Sequence, residues 1–248
     1  MGGFLVLNIA LEAAFCTRKI HQGNNSMKTL LRLDASARRS RSLTRTLGDT
    51  FEREWRRHRP DGVWIIRDLA EQPPAHITEP WIAAAFTPVE ARTPEQHQIL
   101  AASDDLIDEL AAADVLVVNV PMYNYGMPSA LKAWVDNVVR VGRTFSFDLG
   151  RGDFPLRPIM SGKQMVVLSS SGEFGFEPAG IRGDMDQLIP HLRTVKHHLG
   201  VSDMHVVRVE YQEFGDARHK QSMSDAIASS KRLAAAVAQA IAPAAAAE

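Results

Sequence analysis

Three short stretches carry residue types that could do chemistry. In "DASARRSRS", Ser36, Ser40, Ser42 and Thr44 lead into a helical pattern, with Arg38, Arg39 and Arg41 crowded among them. Hydroxyls and free backbone N–H groups at a helix start form an anion site, favoured by the positive end of the helix dipole. Three arginines at that end repel it unless an anion offsets them; the plain alternative is a Ser N-cap with solvated arginines. In "PMYNYGMP", Met122, Tyr123, Asn124 and Tyr125 occupy the turn between an apolar run and a helix, where small residues are usual. A planar heteroaromatic ring could pack against Met122, Tyr123 and Tyr125 while Asn124 and the backbone reach its polar edge. The alternative is simple loop packing. In "SSSGEFGF", Ser170, Ser171, Gly172 and Glu173 again join small donors and aromatics.

Positioning these stretches requires the elements around them. The sequence alternates strand and helix patterns from Lys28 onward. "TLLRLDAS" reads as a first strand. Leu43, Leu47, Phe51 and Trp55 recur every four residues and predict a helix. "GVWIIRDL" predicts a second strand. Pro73, Pro74, Pro80 and Pro88 predict a long loop over 70–92 with at most short helical turns. Thr93, Pro94 and Gln96 form a capping box that opens a second helix, with Ile99, Leu106, Ile107 and Leu110 on its buried face. "DVLVVNV" is apolar throughout, as a central parallel strand covered on both faces should be.

A helix through "ALKAWVDNVV" and an irregular stretch, "GRTFSFDLGRGDFPLRPIMSG", come next. "KQMVVLSSS" and "MHVVRVEY" predict the last two strands. Between them, a helix around "LIPHLRTVKHHLG" should stop at Gly200. A final Ala-rich helix spans about Ala217 to Ala240. The fold class is therefore α/β: an open five-stranded parallel sheet, order 2-1-3-4-5, with helices on both faces. In such sheets ligands bind beyond the carboxyl ends of the strands. The three chemistry-bearing stretches follow strands one, three and four.

The chain has 248 residues, a formal net charge of −1 and one cysteine, Cys16. Near-neutral charge argues against nucleic-acid binding. A lone cysteine provides neither a disulfide framework nor a thiolate cluster, which fits a cytoplasmic protein. The apolar start "MGGFLVLNIALEAAFC" is too short to span a membrane and is interrupted by Glu12. Residues 1–26 are expected to be a loose extension, with an ordered extra helix as the alternative, 27–242 the ordered domain and 243–248 a frayed tail. No GxxxxGK, GxGxxG or GxSxG pattern is present, so a triphosphate site, a Rossmann-type dinucleotide site and a serine-hydrolase elbow lack support. No His/Asp/Glu cluster has metal-ligand spacing. His191, His197 and His198 fall on the helix predicted around "LIPHLRTVKHHLG" as solvated residues.

"LDASARRSRSLTRTL", "PMYNYGMPSALKAWVDNVVRVGRTFSF" and "VVLSSSGEFG" resemble the FMN-dependent NADH azoreductases, also described as NADH:quinone oxidoreductases. The resemblance runs from about Met27 to the last helix and implies a flavodoxin-like fold, a homodimer and noncovalent FMN. It implies that Ser36, Ser40, Arg41 and Ser42 bind the phosphate and ribityl side. Met122, Tyr123, Asn124 and Tyr125 would line the isoalloxazine, and Ser170, Ser171, Gly172 and Glu173 would form the third flavin-contacting loop. Phe145 and Phe147 would supply a stacking wall for substrate. The chain departs from the family's usual Ser-Arg-Gly-Gly by carrying Ser-Ser-Gly-Glu, which removes an arginine and adds a carboxylate. The implied activity is two-electron reduction of quinones and aromatic azo compounds by NADH or NADPH, with ping-pong kinetics and no dedicated acid, base or metal. A single-electron carrier or a non-catalytic flavin-binding sensor is the alternative; neither nucleic acid nor membrane is an expected partner.

Overall fold

The computed structural model describes residues 28–240. The expected extension over 1–26 and tail over 243–248 lie outside the described residues. Five parallel strands form the main sheet: β1 (Thr29–Asp34), β2 (Val63–Asp68), β3 (Val115–Pro121), β6 (Lys163–Ser170) and β7 (Val201–Val209). Their order is β2-β1-β3-β6-β7. This is the expected order once a two-stranded antiparallel hairpin, β4 (Phe145–Phe147) with β5 (Leu156–Pro158), is set apart. That hairpin occupies the stretch expected to be irregular.

Side-chain alternation divides the core into two layers. Leu31, Leu33, Leu116, Val118, Met165 and Val167 face one way with Trp134, Ile107 and Leu110. Leu30, Val115, Val117, Val166 and Leu168 face the other with Phe51, Trp55 and Ala234. The first layer is covered by α3 (Pro94–Ala112), α4 (Ser129–Val138) and α5 (Ile189–Val195); the second by α1 (Leu43–His58) and α6 (Ala217–Ala240). All seven residues of β3 are buried, because helices cover both of its faces.

The α1 face carries an exception to this apolar pattern. Continuing the alternation on β1 and β3 brings Arg32, Asp34 and Asn119 onto it, all buried near the carboxyl ends of the strands. Gly48 of α1 sits directly over Asn119, where a Cβ would lie 2.1 Å from the amide nitrogen. Helix and sheet reach this separation only because residue 48 has no side chain.

Three expected features change in the structure. The proline-rich stretch holds an eight-residue helix, α2 (Glu79–Phe86): Thr78 caps it, accepting from Trp81 N at 3.4 Å, and Pro80 sits in its first turn. A first-turn proline loses no helical hydrogen bond, so Pro80 starts this helix rather than breaking it. On α3 the buried face runs through Leu100, Ser103, Leu106, Ile107 and Leu110, whereas Ile99 is exposed. The Thr93–Gln96 capping box is present on both sides. Finally, α5 ends at Val195, and turns carry the chain to a left-handed Gly200 at φ 76°. His198 therefore lies beyond the helix and is half-buried, its ring 5.2 Å from that of Phe145 and 3.9 Å from that of His197.

Candidate functional site

Four loops leave the carboxyl edge of the sheet and meet in one cleft. The first, after β1, turns at Ser36 and enters α1 through Ser42. Ser42 is the N-cap: its hydroxyl oxygen accepts from Arg45 N at 3.3 Å and lies 3.2 Å from Thr44 Oγ1, so its hydrogen is shared between Thr44 and the cleft. Such a cap stabilises a helix by about 1 kcal/mol. Ser36 Oγ accepts from Arg38 N at 3.2 Å in the same manner. The first turn of α1 holds no acidic residue, so its positive end is not neutralised from within. Arg39 meets Glu71 at 3.4 Å, while Arg38 and Arg41 have no carboxylate partner among the described residues.

The second loop, after β3, is a two-residue hairpin turn. Tyr123 N donates to Gly126 O and Gly126 N to Tyr123 O, each at 3.0 Å. Asn124 and Tyr125 form the corner, both left-handed at φ 48° and 65°. Such turns favour glycine at the second corner position, but here the glycine comes one residue later and the tyrosine carries the strained backbone. Two contacts hold it there. Its carbonyl accepts from Gln187 N at 2.9 Å, and its hydroxyl donates to Glu173 Oε2 at 3.3 Å. Strain of this kind costs about 1–3 kcal/mol and persists where surrounding structure enforces it, often at functional sites.

The third loop, after β6, is tied to its neighbours through backbone. Met122 N donates to Ser170 O at 2.8 Å, joining it to the second loop. Gln212 N donates to Ser171 O at 3.3 Å and Glu213 N to Gly172 O at 3.1 Å, joining it to the fourth loop, after β7. A Cβ on Gly172 would lie 2.7 Å from the Glu213 carboxyl carbon, so glycine permits this approach. Glu173, the unexpected carboxylate, is not a free charge. Arg182 Nε lies 3.0 Å from its Oε1, and that guanidinium also covers the Phe174 ring at 4.7 Å. Phe174 in turn stacks on Tyr211 with centroids 4.4 Å apart.

The cleft has three adjoining compartments. A central one of about 170 Å³ is lined by Ser36, Arg41, Ser42, Met122, Tyr123, Ser170, Ser171 and Gly172, with Arg38, Leu43, Pro121, Gln212 and Glu213. Beyond the arginines, about 510 Å³ opens between Arg38–Arg41, Gln212 and His219, and Ser40 faces it. On the other side, about 330 Å³ lies between Asn124, Tyr125, Ser171, Gly172, Glu173 and Phe176. All twelve candidate residues of the three loops thus line one continuous surface. Phe145 and Phe147 stand apart from it on β4, with Phe147 53% exposed.

Sequence reasoning passed over Gln212, Glu213 and His219. The signal was available, since ligands gather beyond the carboxyl ends of all strands in such a sheet, and this loop follows the fifth. Leu43, at the start of the core stripe, packs partly buried against the core as expected and also forms part of the cleft wall. Chemically, one end of the cleft offers hydroxyl, amide and guanidinium donors to an oxyanion. The other offers aromatic and thioether surface with a polar rim, which suits a flat ring.

A family model described as a flavodoxin-like fold matches residues 27–234. The FMN-dependent NADH:quinone oxidoreductase 2 of Idiomarina loihiensis is 50% identical over 207 residues, 81% of this chain and 86% of that protein. The protein of the same name from Colwellia psychrerythraea is also 50% identical over 207 residues, 81% of this chain and 94% of that one. Among solved structures, an azoreductase from Bacillus anthracis has a TM-score of 0.75 at 17% identity, covering 85% of this chain and all (100%) of its own. A Bacillus anthracis FMN-dependent NADH-azoreductase, solved in complex with FMN, has a TM-score of 0.75 at 17% identity, covering 86% of this chain and 100% of its own. At that identity the two structures establish the fold alone.

Proposed function

The chain belongs to the flavodoxin-like FMN-dependent NADH:quinone oxidoreductase family, and from that premise we propose that its carboxyl-edge cleft holds FMN without a covalent bond and serves reduction of quinones and aromatic azo compounds by NADH or NADPH. One observation carries the assignment: an oxyanion-binding end and a ring-binding end share a single continuous cleft at the switch edge of the sheet. The donor chemistry fits the cofactor. The hydroxyls of Ser36, Ser40 and Ser42, the Arg41 guanidinium and the α1 N-terminus suit a single phosphate. Met122, Tyr123, Asn124 and Tyr125 would flank the ring, with Ser170, Ser171, Gly172 and Glu173 along its other edge.

When bound, FMN supplies the redox chemistry, taking two electrons as hydride from a reduced nicotinamide and delivering them to an acceptor. The protein's part is to orient and to set the local field. Ser36 uses its oxygen as an internal acceptor, so its hydrogen stays available to the phosphate; Ser42 does the same once Thr44 donates to it. The left-handed Asn124–Tyr125 corner fixes the backbone from which the amide and phenol project. Arg182 neutralises Glu173, so the Ser-Ser-Gly-Glu departure adds no unbalanced charge beside the ring. Donor and acceptor use the cleft in turn, which gives ping-pong kinetics and requires no separate dinucleotide fingerprint.

The chain acts as a homodimer in this proposal. Phe147, Leu149, Phe154 and Leu156 leave exposed apolar surface along the β4–β5 arm, and a second copy would cover it. Phe145 and Phe147 would then provide their stacking wall close to the interface.

A two-stage spectrum tests the function. Protein reconstituted with FMN should bleach with NADH alone, without oxygen, and recover its colour on addition of menadione. Bleaching that needs a separate reductase would identify a one-electron carrier instead, and bleaching without recovery a sensor. Asn124→Ala should release FMN more readily or slow its reduction while the far-UV circular dichroism stays unchanged; an unaltered variant removes Asn124 from the site.

A further inference from the structure

Behind the loop that carries Ser36, Ser40, Arg41 and Ser42 lies one side chain that faces away from the cleft. Arg45, in the first turn of α1, uses every donor it has. Its Nε donates to Arg38 O at 3.2 Å and its Nη2 to Ser36 O at 3.1 Å. Nη1 and Nη2 grip the Asp68 carboxylate at 2.7 and 2.8 Å, and Nη1 also reaches Asp34 Oδ2 at 3.2 Å. A guanidinium has five N–H donors in a fixed fork, and here five contacts take them all. Two go to carbonyls of the loop and three to carboxylates at the ends of β1 and β2.

The consequence follows from peptide geometry. A planar trans peptide sets its C=O and the following N–H on opposite sides. Holding Ser36 O and Arg38 O against Arg45 therefore turns Ala37 N–H and Arg39 N–H away from it. Loops that bind anions need this arrangement, with amides outward and carbonyls withdrawn and satisfied elsewhere. We propose that Arg45 is the positioning residue of the phosphate end: it draws the loop's carbonyls back so that the amides meet the phosphate, with Asp68 of β2 as the fixed post that aims it. Arg45 is not a ligand itself. The proposal rests on the FMN reading of the cleft and deepens it, naming the device that selects the phosphorylated flavin.

Binding of FMN is compared with binding of riboflavin, which has the same ring and no phosphate, by quenching of flavin fluorescence on the full chain. Wild-type protein should prefer FMN. Arg45→Met should cut that preference at least about tenfold while riboflavin affinity stays within about twofold. Arg45→Lys should restore little of it, because an ammonium cannot serve two carbonyls and a bidentate carboxylate at once. Asp68→Asn keeps the size of the post and weakens its grip, so it should give a smaller loss of the same kind; it decides the matter if Arg45→Met fails to fold. A preference left intact in the variants, or the two ligands weakened in proportion, would overturn the positioning role. Wild-type protein that binds riboflavin as tightly as FMN would overturn the phosphate reading of the site itself.

Discussion

At the β1–α1 end of the cleft, a dense set of charges lies beneath the loop: Asp34 accepts from Arg32 Nε at 3.1 Å, from Arg45 Nη1 at 3.2 Å and from Asn119 Nδ2 at 2.6 Å, and is itself 3% exposed. At the opposite end, the left-handed Tyr123–Gly126 corner is held by Gln187 N and the Glu173 carboxylate, and the Glu173–Arg182 ion pair beside it is partly open to solvent. One end is made rigid by buried electrostatics and the other by local conformation. The difference matches what each would grip. A phosphate is small, highly charged and intolerant of misplaced dipoles, whereas a ring is recognised through surface and tolerates a softer polar rim.

Four changes test this contrast, from the largest expected effect downward. Asp34→Ala removes the shared acceptor and leaves two guanidinium groups and an amide imperfectly paired in a buried place. Urea unfolding should show a loss of about 3–5 kcal/mol. A loss below about 1 kcal/mol would mean the network does not hold the phosphate end. Tyr125→Gly should have the reverse signature. Relief of the left-handed strain should offset much of the lost packing, holding stability within about 1 kcal/mol of wild type, while FMN affinity falls. Equal damage to both would remove conformational strain as the basis of the ring end.

Acid provides the third. Hydrogen bonds from Arg45 hold the Asp68 carboxyl below its ordinary value of 3.8. A carboxylate depressed in the folded state contributes stability that is full above the unfolded value and fades as pH falls through the folded one. Wild-type protein should therefore lose more stability than Asp68→Asn on going from about pH 5 to about pH 3. Parallel curves would show that the Arg45–Asp68 pair does not carry that slope. Glu173→Gln comes last. It breaks a part-exposed pair, so stability should move by less than about 1 kcal/mol. The freed Arg182 should instead leave a net positive charge beside the ring and raise the flavin midpoint potential in a redox titration. An unchanged potential would leave Glu173 with no electrostatic role.

Much of the fold was legible because its signals are local and periodic. The apolar runs around Leu116 and Val166, the four-residue stripe through Phe51 and Trp55 and the Thr93–Gln96 cap each specify their element within a few turns of chain. The errors share a cause. Pro80 reads as a breaker or a starter depending on one residue of offset, and Ile99 and Leu100 are equally apolar, so only packing on the sheet decides which is buried. Within the site, the three loops stood out by residue type. Gln212 and Glu213 did not, as their only mark is their position after the last strand.

Composition and period, by themselves, determined an open parallel sheet and the edge at which a ligand would sit, since hydrophobic repeats and right-handed crossovers leave few alternatives. Tertiary structure alone decided that Glu173 meets Arg182, that Asn124 and Tyr125 turn left-handed, and that Arg45 spends all its donors on residues 34, 36, 38 and 68. Those pairings join groups from different loops and strands, and the fork of one arginine or the sign of one φ is set by what surrounds it in space, which no neighbour in the chain encodes.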